Sequence, residues 1–379
     1  MNTYNGKILL QIPTYMLSKL VVGISMLIHY LVTFGSVWTG RSRNKGRASL
    51  LAVESGEMGW ALIEYEELLK SANEYLGPSK VIKIAISERK NYIWEVRELL
   101  SVQPVTHYLY DPRTGSQGWI KGLVEVFSLV VLFAQYRVIP IARLSDFPHR
   151  RWRFLCATLT SSKGICSTLM ASTQMKGYFP HRRLIGPMMM ALSNTTVLRL
   201  IEVKSLLQSN EYPRAIFTGA LYEPRTSFLD KVKECLRLRG LELEMHTREL
   251  GSERDSNISY WQRLLAADIV LTTADQSIGP GKEIIDITHM VYRYSEVLAA
   301  GAMLLAPLVP GIEKYFRPGV DFIVYTDWID AANKIEYYLG AHSERRGIAL
   351  SGSARLSELT QSHSYWRTID FALGVHGFS

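Results

Sequence analysis

The chain has 379 residues, 47% apolar and 21% charged, too long for one ordinary core and too apolar for a disordered chain. At roughly 150 residues per domain it reads as two domains. Its formal charge of +8 is concentrated at one end: Lys7, Lys19, Arg41, Arg43, Lys45 and Arg47 stand in the first 50 residues with no acid among them, which leaves +2 for the rest. A nearly balanced body without a binding motif excludes nucleic acid as the expected partner. The three cysteines, Cys156, Cys166 and Cys235, lack metal-ligand spacing and are too few for a disulfide framework, so they read as reduced, buried thiols in a cytosolic setting.

Residues 20–38, LVVGISMLIHYLVTFGSVW, form an uncharged apolar run about as long as a membrane span. The basic cluster after it favours the cytoplasmic side, so a span here leaves the body in the cytosol. Two readings stay open for this extension, residues 1–56: attachment to the cytoplasmic face of a membrane, spanning or interfacial, and a buried or loosely ordered helix.

A first domain is expected over residues 57–209. An amphipathic pattern over 57–76 predicts a helix stopped by Gly77-Pro78. A first strand over 81–87, a helix over 92–100, a strand over 105–110, a helix over 118–135 and a strand over 137–142 then alternate, the order of a parallel sheet with covering helices. Ligands gather beyond the carboxyl ends of such strands, which makes the polar loop 143–151 a wall of a candidate site. Asp146 and His149 are its acid–base candidates, and capping of a helix near Pro148 is the alternative for Asp146. A further strand is read at 163–170, an anion contact or a solvated turn at His181-Arg182-Arg183, and a connecting helix over 194–208.

A second domain is expected over residues 210–361. It begins with a strand over 214–218, a turn at Gly219, a helix over 225–239 and a strand near 241–245. A helix over 260–267 and a strand over 268–272 follow, then a long loop holding Gly279-Pro280-Gly281-Lys282. That loop lacks the Walker spacing, and Lys282 is its phosphate candidate. The stretch 292–301 predicts a short helix ending at a left-handed Gly301, followed by a buried parallel strand over 302–307. Arg293 and Glu296 share a face of that helix: a cation suits a phosphate and a carboxylate suits sugar hydroxyls. The plainer alternative is an exposed ion pair of about 0.2–0.5 kcal/mol. A strand over 321–325 and a helix over 328–340 follow, with a closing helix and tail over 362–379.

Together, the strand ending at Gly219, Arg225, the run RYSEVLAAGAMLL, the turn at Pro310-Gly311 and the segment Ser362-His363-Ser364-Tyr365-Trp366-Arg367 resemble the group-one-like glycosyltransferases of the GT-B fold, over about residues 212–373. The resemblance implies an α/β architecture of two Rossmann-like domains facing a cleft, a nucleotide-sugar donor on the second domain and an acceptor on the first. It implies that Glu296 holds the donor ribose, that Arg293 and Arg225 face the diphosphate, that Gly219 lets the backbone approach the donor, and that the helix near Tyr365 crosses back onto the first domain. The acceptor is unidentified, a lipid-linked molecule or a polysaccharide being the readings that suit membrane contact through residues 20–38. No cofactor and no metal are expected, since the chain contains no Asp-x-Asp. One departure stands out: many retaining members carry a second Glu eight positions before the one matched by Glu296, and here that position is Thr288, with Glu283 and Asp286 nearby. That departure keeps a second function open, a catalytically inactive GT-B-like scaffold that binds a partner or a membrane.

Overall fold

Two parallel sheets organise the chain. The computed structural model describes residues 50–56, 62–86, 92–111, 119–144, 163–166, 184–207, 212–249, 256–276, 287–288, 290–374 and 377–378. The first sheet comprises β1 (Leu51–Gly56), β2 (Val81–Ile86), β3 (His107–Tyr110), β4 (Ile139–Leu144), β5 (Lys163–Cys166) and β6 (Leu184–Ile185), in the order β2-β1-β3-β4-β5-β6. Every neighbouring pair is parallel. Side chains alternate across this sheet with the strand period of two. Ala52, Tyr108 and Ala142 meet α2 (Tyr92–Val102) and α3 (Trp119–Tyr136) on one face. Leu51, Val53, Leu109 and Ile141 meet α1 (Leu62–Leu76) on the other.

The sheet starts earlier than the pattern indicates. β1, which the sequence reading leaves in the N-terminal extension, lies between β2 and β3, and Leu51, Ala52 and Val53 are fully buried. Only four apolar residues, Leu50 to Val53, precede Glu54, a short run that carries little strand signal. Glu54 is buried because the hydroxyls of Tyr92 and Tyr108 and the amide of Asp111 all donate to it. Residues 20–38 lie outside the described residues; among those described, no helix is long and apolar enough to cross a membrane.

α4 (Asn194–Leu206) joins the two halves. Glu74 of α1 accepts from the Ser193 hydroxyl at 2.7 Å and from the Asn194 and Thr195 amides at 2.8 and 3.0 Å, which satisfies the orphan donors at this helix start. Burial pushes the Glu74 carboxyl up, but these hydrogen bonds outweigh that and hold it below the usual range. Further along α4, Val197 and Leu200 enter the core of the second half.

The second sheet comprises β7 (Ala215–Leu221), β8 (Glu244–Glu249), β9 (Ile269–Leu271), β12 (Met303–Pro307) and β13 (Ile323–Tyr325), in the order β13-β12-β9-β7-β8. All its pairs are parallel. The central strands read as unbroken apolar runs because both faces are covered. α5 (Arg225–Arg237) and α8 (Trp328–Gly340) share one core cluster, α6 (Asn257–Ala266) and α7 (Arg293–Ala299) share the other, and α9 (His342–Gln361) contributes to both. β10 (Asp275–Gln276) and β11 (Ile287–Thr288) form a two-stranded antiparallel ribbon in the long loop before α7. Cys235, on α5, is half-buried rather than buried, and unbridged.

The 20-residue helix α9 has no counterpart in the sequence reading. It is buried through small and polar residues as well as apolar ones, Gly352 and Ser353 beside Ile348 and Leu356, so no apolar stripe announces it. A Cβ at Gly352 would stand 2.2 Å from the Asp321 carbonyl oxygen, so this contact requires glycine. α10 (Ser364–Leu373) then returns to the first domain, as the resemblance implies. Its Trp366 is buried in the cluster of Leu51, Leu68 and Leu109 and donates to the Ser71 hydroxyl at 3.0 Å, and Asp370 accepts from Tyr75 at 2.9 Å. Just before this return, the Thr360 hydroxyl lies 3.3 Å from Asn194 Oδ1, so the outward and return passages between domains run side by side.

Candidate functional site

The carboxyl ends of β7, β8 and β9 open onto a cavity of about 230 Å³. Its walls are Phe217–Ala220 of β7, His246–Arg248 of β8, Leu271 and the two threonines after β9, Tyr260, the start of α7 and, from the first domain, Glu64. Four of the residues expected at the donor site, Gly219, Arg225, Arg293 and Glu296, meet here.

Gly219 does not end its strand. β7 continues to Leu221, and Gly219 takes φ +152 within it, a backbone conformation that side chains rarely adopt. Arg225 opens α5, and its placement is fixed on several sides. Its Nε donates to Thr273 Oγ1 at 2.6 Å, its Nη1 donates to the Ala220 carbonyl at 2.9 Å, and the guanidinium lies 4.1 Å from the Tyr222 ring centre.

The exposed-ion-pair alternative for Arg293 and Glu296 fails on burial: the two side chains are 18% and 2% exposed. Arg293 Nε lies 3.2 Å from Glu296 Oε2, and its Nη1 donates to the Thr218 carbonyl at 2.7 Å. The Tyr260 hydroxyl donates to the same Glu296 oxygen at 2.5 Å, and the Arg293 guanidinium sits 5.1 Å from the Tyr260 ring centre. A carboxylate buried this deeply is tolerable only because charged and hydroxyl donors reach it. The helix itself is as expected, with Gly301 left-handed at φ +67 after its last turn. At seven residues α7 offers a weak dipole, so the guanidiniums supply the positive field here.

The first domain brings a second set of charges to the cleft. Arg143, at the carboxyl end of β4, pairs with Glu64 of α1 and stands 3.9 Å from Asp111 Oδ2, and Asp111 accepts from the Tyr65 hydroxyl at 3.0 Å. Tyr260, Thr218, Thr273 and Glu64 line the cavity and are missed by the sequence reading, while Arg143, at the start of the loop read as a site wall, reaches the cavity through Glu64. Asp111 and Arg143 carry a usable signal, since both stand at strand ends in polar stretches. Asp146, His149, Lys282 and the His181-Arg182-Arg183 triplet lie outside the described residues. Thr288 pairs with Asp275 across the β10–β11 ribbon.

Comparison with known proteins follows the same outline. Residues 225–373 match the family described as glycosyl transferase-like. No curated protein matches the chain. The crystal structure of HepE from Anabaena in complex with UDP-glucose aligns with a TM-score of 0.53 at 12% identity, covering 85% of this chain and 100% of that one. Sucrose-phosphate synthase from Thermosynechococcus elongatus aligns with a TM-score of 0.53 at 10% identity, covering 86% of this chain and 100% of that one. At such identities the likeness is one of fold. The chain therefore shares the GT-B fold of these structures, and its residues 225–373 match the glycosyl transferase-like family.

Proposed function

We propose that the protein moves a sugar from a nucleotide-sugar donor bound on the second domain to an acceptor bound on the first, without a metal ion. The observation that carries this reading is the buried arrangement of Arg293, Glu296 and Tyr260 beside Gly219 and Arg225, at the carboxyl ends of a parallel sheet. Glu296 takes the ribose hydroxyls, and Arg225 and Arg293 take the diphosphate. As the glycosidic bond to the donor phosphate breaks, negative charge grows on the departing nucleoside diphosphate, and two preplaced guanidiniums stabilise it. The absence of Asp-x-Asp from the sequence supports this cationic route over a metal clamp. HepE, with UDP-glucose in the same fold, supports a nucleoside diphosphate sugar as the donor class. Asp146 and His149 are the first-domain acid–base proposals, and a lipid-linked molecule or a polysaccharide is the acceptor class proposed.

The test is a calorimetric screen of UDP, GDP, ADP and TDP sugars against wild type and Glu296→Gln. Loss of a charged hydrogen-bond acceptor predicts binding weakened about 10- to 100-fold with the fold retained. Unchanged affinity in a folded variant sinks the donor assignment. A second reading, an inactive scaffold, is favoured by Thr288 at the position of the missing carboxylate. Turnover of any donor that Arg293→Ala abolishes excludes it.

A further inference from the structure

We infer that Tyr260 is a positioning residue that couples the ribose carboxylate to the phosphate cation, an inference that rests on the donor-site reading above. Tyr260 lies on the inward face of α6, one turn before the fully buried Leu264, and is itself 3% exposed. An apolar residue fits that face, and a phenol there costs stability unless its hydroxyl is bonded. The hydroxyl is bonded to Glu296 Oε2, while the face of the same ring carries the Arg293 guanidinium. One side chain thus touches the carboxylate with its edge and the cation with its π surface. Arg293 also contacts Glu296 and the Thr218 carbonyl, which closes a ring of mutual constraints.

The consequence is preorganisation. Glu and Arg side chains each lose up to about 1.5–2 kcal/mol of rotamer freedom when fixed. Tyr260 makes folding, rather than ligand capture, bear that loss, so a diphosphate and its adjacent ribose meet groups already in place. α6 is also tied to the first domain, where Asn257 Nδ2 donates to Glu66 Oε2 at 3.2 Å, so Tyr260 sits on an element that touches the opposing wall of the cleft.

The experiment uses the full chain and whichever of UDP, GDP, ADP and TDP binds wild type most tightly. Tyr260→Phe keeps the ring and its contact with Arg293 but removes the hydroxyl. Binding is expected to weaken about 10-fold, the size of one hydrogen bond to a charged group, with a melting temperature close to that of wild type. The double variant Tyr260→Phe/Glu296→Gln is expected to bind no more weakly than Glu296→Gln alone, as a hydroxyl that acts on binding through that carboxylate requires. Wild-type affinity in Tyr260→Phe, a lowered melting temperature without loss of affinity, or losses that add in full overturns the inference and leaves the donor site standing. If no diphosphate binds, or Glu296→Gln binds like wild type, the donor reading falls and takes this one with it.

Discussion

At the scale of single residues, two carboxylates of the first domain respond to pH in opposite directions. Burial pushes the Glu54 carboxyl up from 4.5 to about 7, against the lowering pull of hydrogen bonds from Tyr92, Asp111 and Tyr108. Between pH 4.5 and 7 the folded protein therefore holds a proton that the unfolded chain has released. Stability falls as pH rises through that window and then stays at the reduced level. The size of this contribution is on the order of 3 kcal/mol. Glu54→Gln is expected to remove that slope, measured as denaturation midpoints at pH 5 and pH 8; an unaltered slope would show that Glu54 is not its source. Glu74 works the other way. Its depressed folded value gives a contribution present above 4.5 and lost as pH falls further. Arg293 and Glu296 were legible as a charged pair on one helix face before a buried strand, whereas Arg225 entered only through the family resemblance; all three line the cavity. Tyr260 was not legible, since an aromatic residue on the inner face of an amphipathic helix reads as core and its meaning depends on Glu296, 36 residues away.

At the scale of elements, the alternation of strands and helices was legible almost throughout, because periods of two and 3.6 leave different marks in the sequence. The two longest exceptions share one cause; the two-residue strands β6, β10 and β11 are too short to leave a period. β1 and α9 are buried without a continuous apolar signature: β1 ends in a carboxylate satisfied from other elements, and α9 approaches its neighbours through Gly352 and Ser353. The pairing of Arg143 with Glu64 was hidden for a related reason, since 79 residues separate its members. α10 is the element whose removal tests the architecture most directly. Trp366→Ala is expected to cost about 3–5 kcal/mol in urea denaturation, the usual range for a large aromatic side chain in a core. A loss below about 1 kcal/mol would mean that α10 is an ornament on the first domain rather than a part of its core.

At the scale of the whole molecule, the cavity takes its walls from both domains, Glu64 on one side and Arg293, Glu296 and Arg225 on the other. A donor bound between such walls favours the arrangement in which both touch it. Small-angle scattering is expected to show a smaller radius of gyration when a nucleoside diphosphate saturates the protein, and an unchanged radius would count against closure. The two-domain plan was legible from length and from the repeated strand and helix series. The way the halves are tied was not, because it depends on α4, whose first turn answers to α1 while its later turns answer to α7 and α9.

The side-by-side passages at Asn194 and Thr360 also set the mechanics of that motion. Two covalent connections that meet at one edge resist shear and twist between the bodies they join, and leave one easy freedom, rotation about the line through them. The swing is small near that line and grows with distance from it. Any movement of the first domain against the second is thus steered along a single arc, set by chain connectivity before any ligand arrives.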